Sequence, residues 1–363
     1  MQTAIPCLFM RGGTSRGPFF RAADLPEDLP TRDAVLLAAI GSPDARQIDG
    51  LGGAHPLTSK VGIVGRGREA GTDLEFLFAQ LQPGRDTVDT TPNCGNMLAA
   101  VVPFALETGL CVPRGDTTTL RVLTLNTGMR CDVTVQTPGG RVRYDGDARI
   151  DGVPGTAAPI TIDFLDTAGS VCSGLLPTGR VLDRIDGLEV TCIDNGMPMV
   201  LLRAADVGRS GRESVAALDA DTELKARLER LRLAAGYEMG LGDVTSKSYP
   251  KMCLVAEPAS GGSIATRCFI PHVCHDAIGV LAAVTVATAC VLPGSVTDGL
   301  ARVAPWSVAT VSVEHPSGEF SVRLTRDAVD PRAVPRAALL RTARLIMRGE
   351  VYVPAAVWGG PLA

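Results

Sequence analysis

Thr91-Pro92-Asn93-Cys94-Gly95-Asn96 opens an apolar run that extends from Met97 to Leu110. Helical periodicity begins at once: Leu98, Val101, Val102, Ala105 and Leu106 recur at the i, i+3, i+4 spacing of a buried face. Gly109 supplies a stop, and Pro103, which lacks an N–H, should kink the helix or limit its first turns. Such a start turns free N–H groups and the positive end of the helix dipole toward Cys94, favouring a thiolate or a bound anion. Two readings stay open on these residues alone. One is a buried structural cysteine, a common fate of a free thiol; the other is the floor of an anion-binding active site.

A second stretch has the same build. A strand over Ser263–Phe269 leads to His272-Val273-Cys274-His275-Asp276, then an apolar segment from Ala277 to Leu292, stopped by Pro293-Gly294. Leu98-Ala99-Ala100-Val101 recurs as Leu281-Ala282-Ala283-Val284. The expected fold is therefore α+β and pseudo-duplicated, two β-rich halves each built on one buried helix. If the two helix starts face each other across the domain interface, they enclose a usual place for a pocket. The expected divisions are residues 1–180 with a central helix near 95–109, residues 181–345 with one near 276–292, and a tail at 346–363 returning to the first domain.

Composition supports that class. The chain has 363 residues, 45% hydrophobic and 20% charged, enough for two domains with substantial cores. With 40 glycines and 25 prolines, short Val- and Thr-rich runs point to strands and turns. An aromatic content of 4%, a net charge of −4 and the absence of a basic run argue against nucleic acid and anionic membrane as partners. The first residues lack the charged and apolar regions of a signal peptide, and no apolar run is long enough to span a bilayer. Ten scattered cysteines without a CxxC pair suit a reduced cytoplasmic setting, and the four histidines do not pair with them at zinc-finger spacing, so no metal is expected. Cys7, Cys111, Cys131, Cys172, Cys192, Cys253, Cys268 and Cys290 read as small core hydrophobes.

Along the chain, a strand over residues 4–10 runs into Arg11-Gly12-Gly13-Thr14-Ser15-Arg16-Gly17. Three glycines with two hydroxyls and two arginines favour an anion-binding loop over a plain polar hairpin, though the spacing is not that of a Walker loop. A helix over Thr31–Ile40, capped by Thr31, is followed by the glycine-rich segment Asp49–Gly53 and by Thr58-Ser59-Lys60 at the head of a Val/Ile strand. A lysine there usually points to water. One approached by glycine-rich backbone and desolvated would have a lowered pKa and could act as a base; on the residues alone the solvated reading leads. Strands are expected at 73–81, 118–124, 129–136, 140–145, 160–164, 187–193, 199–202, 251–256 and from Val308. Helices are expected at 221–235 and from Ala337 to Met347.

Met10-Arg11-Gly12-Gly13-Thr14-Ser15, Asp49-Gly50-Leu51-Gly52-Gly53, Thr58-Ser59-Lys60, Asn93-Cys94-Gly95-Asn96 and His315-Pro316-Ser317-Gly318 occur in one order over nearly the whole chain. Together they resemble the methylaconitate and oxalomesaconate isomerase/tautomerase family, which shares the diaminopimelate epimerase fold. Asp151–Thr156, Asp194–Pro198 and Leu241–Thr245 look most like the 4-oxalomesaconate branch. The resemblance implies two pseudo-symmetric domains, each a β-barrel-like sheet around a central helix, with the site between them. It implies cofactor-free proton transfer in an unsaturated polycarboxylate, in the breakdown of aromatic acids such as gallate or protocatechuate. Lys60 matches the family's catalytic lysine and Cys94 its active-site cysteine. Arg16 departs from the pattern, standing where many relatives have lysine. Val273-Cys274-His275-Asp276 matches the methylaconitate branch at His275 rather than the second catalytic cysteine of the epimerases, so a two-cysteine mechanism is not carried over.

On this reading Lys60 is base and proton carrier, and Cys94 polarises, protonates or shapes the site. Arg11, Thr14, Ser15, Arg16, Asn93, Gly95, Asn96, His275 and Ser317 are the substrate-binding candidates. The rivals are 2-methylaconitate cis–trans isomerisation, a cysteine-nucleophile enzyme pairing Cys94 with His275, and a non-catalytic dicarboxylate-binding protein. The oligomeric state stays open, a homodimer included.

Overall fold

The computed structural model describes residues 1–91, 93–165, 167–304, 308–325 and 336–360. Pro92 of the opening motif lies outside them. The chain divides into two compact units, residues 1–165 with 340–363, and residues 166–339.

The first unit is built from β1 (Gln2–Gly12), β2 (Ser15–Arg21), α1 (Leu29–Ile40), β3 (Lys60–Arg66), β4 (Leu74–Leu81), β5 (Val88–Asp89), α2 (Gly95–Leu98), α3 (Val101–Glu107), β6 (Thr117–Thr124), β7 (Met129–Gln136) and β8 (Ile160–Phe164). β1 and β2 pair antiparallel, β2 and β3 parallel, β3 and β4 antiparallel, β4 and β6 parallel, and β6–β7 and β7–β8 antiparallel. Each parallel pair needs a crossover. α1 provides the first, and α2 with α3 provides the second. α2 lies against β1 and β2, while α3 lies against β3 and β7, so strands from both flanks wrap the pair. Met97 to Ala105 are buried without exception, as a central helix requires.

That helix is interrupted, and Pro103 explains where. Its ring would collide with the carbonyl four residues earlier, that of Ala99, and the helix breaks at Ala99–Ala100 before resuming at Val101. In the new first turn the missing N–H of Pro103 costs nothing. Asp28, not Thr31, caps α1: its carboxylate accepts the Thr31 N–H at 3.0 Å, and the helix begins at Leu29 with Pro30 in its first turn.

The second unit comprises β9 (Asp183–Ile185), β10 (Leu188–Asp194), β11 (Pro198–Arg203), α4 (Val215–Ala220), α5 (Thr222–Glu238), β12 (Lys251–Ala256), β13 (Ile264–Phe269), α6 (Val280–Ala289), β14 (Val308–His315), β15 (Gly318–Thr325) and β16 (Arg336–Arg341). From β10 to β16 the pairings run antiparallel, parallel, antiparallel, parallel, antiparallel, antiparallel. This is the succession of the first unit, with α4–α5 and α6 in its two crossovers. The duplication read from two apolar stretches thus extends to the whole topology. α6 is buried from Ala282 to Ala289 and packs on β10, β11, β14 and β15. It starts at Val280 rather than near 276, because His275 Nδ1 accepts the Ala277 N–H at 2.9 Å and holds the approach in a turn.

Three further expectations differ from the structure. Residues 166–180 group with the second unit: Asp194 carboxylate oxygens accept from the Ser170 hydroxyl and from the Val171 and Cys172 N–H groups, tying this segment to β10. Residues 140–145 are not a strand, since Gly139 and Gly140 take φ of 63° and 74° and turn the chain away. Ala337 to Met347 is not a helix. Its Ala, Leu and Arg favour one locally, but β16 pairs with β15, and β17 (Ala343–Pro354) returns to the first unit to pair with all of β1. Long-range pairing overrides local propensity here.

A buried cation fixes the approach to β12. Arg232 on α5 is fully buried, with its Nη1 donating to the carbonyls of Val244, Lys247 and Tyr249 at 3.0–3.2 Å, and Nε and Nη2 to Glu229. Removing one partner of such a network strands the others. Arg232→Leu is expected to lower stability by about 3–5 kcal/mol, measured as the shift in a urea unfolding transition.

Candidate active site

Lys60 is the first residue of β3 and only 7% exposed. Gly17 permits this, because a side chain there would overlap the Lys60 carbonyl where β2 runs beside β3. The ammonium donates to Gln80 Oε1 and lies 4.9 Å from the centre of the Phe78 ring, a cation–π distance. Gln80 is itself clamped: its amide nitrogen donates to the carbonyls of Pro56, Ser59 and Leu81. Burial pushes the Lys60 pKa below the ordinary lysine range, and the charge of Cys94 partly opposes the shift. The lysine is thus desolvated, against the solvated reading.

The glycine-rich segment before it is organised by Gln47, buried and at φ 51°. Its Oε1 accepts from the Ala54 N–H and the Ser59 hydroxyl, both at 2.8 Å, which orders the chain up to Lys60. Neither Gln47 nor Gln80 was singled out from sequence. The signal for Gln80 was its polar place after the apolar run Phe76 to Ala79; Gln47 gave none.

Cys94 is partly buried at the N-cap of α2. α2 has only four residues, so what it offers is a turn of N–H groups rather than a long-helix dipole. Leu98 makes the first bond of the turn, to the Cys94 carbonyl at 3.0 Å, leaving the N–H groups of Gly95, Asn96 and Met97 ahead of it. Asn93 Oδ1 accepts the Cys94 N–H at 2.9 Å and its Nδ2 reaches Thr124 Oγ1 at 3.3 Å, holding the turn to β6.

The loop between β1 and β2 docks on this turn. Gly12 faces the Asn96 carbonyl and Gly13, at φ 51°, faces the Asn96 side chain, each too closely for a Cβ. Asn96 Nδ2 donates to Thr14 Oγ1 at 2.9 Å. Arg11 braces the loop from behind, with its Nη1 on the Gly13 and Thr342 carbonyls and the Thr342 hydroxyl. Ser15 is 2% exposed, and its hydroxyl has no hydrogen-bond partner among the described residues. A buried hydroxyl without a partner costs about 1–3 kcal/mol unless a ligand answers it. Arg16 is exposed, its guanidinium 5.8 Å from the Phe9 ring centre. The first unit therefore brings together Thr14, Asn93, Cys94, Gly95 and Asn96, with Ser15 at the foot of the same loop and Arg11 serving its geometry.

In the second unit His275 is half-buried. Burial and the charge of Lys251 lower its pKa, opposed by Asp276, so the neutral ring accepts at Nδ1 and carries its proton on Nε2. Cys274 beside it is buried with a thiol pushed up to about 11, which suits a structural residue rather than a second catalytic thiolate. Ser317 is exposed in the β14–β15 turn, its N–H and hydroxyl both 3.3 Å from His315 Nδ1. Burial also holds up the thiols of Cys7, at about 11, and of Cys172 and Cys290, each at about 12. Among the described residues no group of His, Cys, Asp and Glu side chains is arranged to hold a metal, and no helix is long and apolar enough to cross a membrane.

Residues 2–354 match the PrpF protein family. The chain belongs to that family. It is 55% identical over 348 residues to the (4E)-oxalomesaconate Delta-isomerase of Novosphingobium sp. strain KA1, covering 96% of this chain and 97% of the relative. It is 51% identical over 360 residues to the 4-oxalomesaconate tautomerase of Pseudomonas putida, covering 99% of each. The 2-methyl-aconitate isomerase of Shewanella oneidensis is 34% identical, covering 97% of this chain and 98% of the relative. The crystal structure of a methylitaconate-delta-isomerase superposes with a TM-score of 0.86 at 33% identity, covering 100% of this chain and 99% of that one. This PrpF chain is thus an isomerase with the α+β, diaminopimelate epimerase-like fold of two pseudo-symmetric domains.

A lysine working as free base supports turnover above its pKa and loses it as pH falls and the amine is protonated. The rising limb of the kcat/KM–pH profile is therefore expected below the ordinary lysine range. Because Cys94 opposes the shift, Cys94→Ala is expected to move that limb to still lower pH. A limb that stays or moves upward would contradict the coupling.

Proposed function

We propose that this PrpF-family isomerase acts on 4-oxalomesaconate, moving a proton along its conjugated carbon skeleton without a cofactor, in the breakdown of aromatic acids such as gallate or protocatechuate. The observation that carries the reading is the desolvated Lys60, held by Gln80 beside Cys94. Identity above 50% over nearly full length to two enzymes named for this acid supports the substrate.

The chemistry follows from the groups present. The neutral Lys60 amine takes a proton from the carbon next to the carbonyl or at the far end of the conjugated system. The C–H electron pair becomes a carbon–carbon double bond, and the negative charge spreads onto oxygen as a dienolate. The Lys60 ammonium then returns the proton at the other end, so composition is unchanged and only a double bond has moved. The N–H groups of Gly95, Asn96 and Met97 and the unanswered Ser15 hydroxyl are donors for the developing oxyanion or a carboxylate. Thr14, Asn93 and Asn96 shape the anion pocket. Arg16 is a further carboxylate contact of this unit, the Cys94 thiol assists the lysine electrostatically, and His275 and Ser317 are candidate anion contacts within the second unit.

Lys60→Met keeps the length of the side chain and removes the base. It is expected to lower kcat by about 10²–10⁴-fold and to abolish deuterium uptake from D₂O, followed by proton NMR of 4-oxalomesaconate. Near wild-type exchange in this variant would sink the lysine mechanism. Exchange into 2-methylaconitate in preference to 4-oxalomesaconate would transfer the chain to the rival substrate.

A further inference from the structure

Gln80 is the residue that β4 sets opposite Lys60. The two are partners in the antiparallel β3–β4 ladder, and Phe78, two residues earlier on the same face of β4, puts its ring centre 4.9 Å from the ammonium. The strand is fixed at this point. Asn126 serves Phe78 as an extra strand partner, accepting its N–H at 2.9 Å and donating to its carbonyl at 2.8 Å. The same Asn126 amide donates to the Thr90 carbonyl, ahead of the turn that carries Cys94. The Leu81 N–H donates to the Ser59 carbonyl at 3.0 Å, closing the ladder beside Gln80. The Gln80 Nε2 is surrounded by the carbonyls of Pro56, Ser59 and Leu81 at 2.8–3.2 Å, so turning the amide over would set its oxygen against three others. Only Oε1 can face Lys60.

Another buried cation is treated differently. Arg232, which never gives up its proton, is met by both carboxylate oxygens of Glu229. Lys60 is met by an amide. Among the described residues, Cys94 is the one titratable group whose charge acts on it; β2 faces it with Gly17, and β4 with Phe78 and Gln80. A primary amine keeps N–H donors in both of its protonation states, three as the ammonium and two as the free base. The Gln80 oxygen can therefore accept one of them before the proton is taken and after it. With one N–H engaged in this way, the lone pair of the free amine points away from the amide.

We propose that Gln80 is the positioning residue of the proton transfer, an uncharged acceptor locked in one orientation that holds the Lys60 nitrogen through both halves of the cycle. The proposal rests on the reading of Lys60 as the base. The test compares wild type with Gln80→Met, which removes the acceptor, and Gln80→Glu, which turns it into a carboxylate, each checked by far-UV spectrum and unfolding midpoint. Lys225, Lys247 and Lys251 are the only other lysines of the chain. In protein labelled at its lysine side chains, the Lys60 NMR signal is thus assigned by its absence from Lys60→Met, and its titration is followed without substrate. Burial without the acceptor favours the free amine, so in Gln80→Met the Lys60 titration and the rising limb of the kcat–pH profile are expected to move together to lower pH. A carboxylate favours the ammonium, and Gln80→Glu is expected to move both upward by about one pH unit or more. At its own optimum Gln80→Met is expected to lose about 10–100-fold in kcat with KM within about threefold of wild type. A Lys60 titration unmoved in the variants, movement in the reverse sense, a kinetic limb that stays while the signal shifts, or a loss confined to KM would overturn the proposal. If one variant misfolds the other decides, since each carries its own direction. If the wild type does not turn over 4-oxalomesaconate, the substrate assignment falls and the substrate-free titration decides alone: opposed movements uphold the hold of Gln80 on Lys60, and a fixed titration ends it. Full turnover by Lys60→Met would remove the base and this proposal with it.

Discussion

Taking the Lys60 ammonium out of water is the constraint to which the rest of the first unit answers. A buried cation loses far more hydration than one aromatic ring returns, so the chain must supply a fixed acceptor and, on the proposed function, still leave the amine able to give up its proton. A carboxylate would overshoot, pinning the lysine in its charged form. The Gln80 amide is the compromise: it accepts from the ammonium without carrying charge, and its own nitrogen is tied down by three carbonyls, so it cannot turn away. Gln47 performs the same service one step earlier in the chain, by ordering the loop that delivers Ser59 and Lys60.

The duplicated topology shows how one scaffold carries two unlike settings. Two parallel crossovers per unit place a strand head, a glycine turn and a helix start at the same location. In the first unit that location holds the buried Lys60; in the second it holds the half-buried His275. The strand pairings are kept, while the divergence lies in side chains and in helices, the central one broken in the first unit and continuous in the second.

Much of this was legible in the sequence, for identifiable reasons. Glycines that permit close approach, a cysteine ahead of a buried helix and a lysine at a strand head each leave a local mark, and Thr14, Asn93, Cys94 and Asn96 do come together. What was hidden depends on contacts distant in sequence. Gln80 and Gln47 matter only through partners that folding brings to them. Ser15 stands out because its hydroxyl is left without one. The stretch from Ala337 to Met347 has helical composition, and only its pairings make it strand.

The pairing of β17 with β1 bears on how the protein matures. β1 carries the Arg11–Thr14 loop, and one of its edges pairs with Ala343 to Pro354, beyond the second unit in sequence. Thr342, just ahead of that strand, receives both Arg11 and the Gly13 N–H. During synthesis this loop is made ahead of the second unit and braced by a strand made after it. A chain interrupted ahead of Ala343 would hold the lysine and the cysteine without the strand that braces their neighbouring loop.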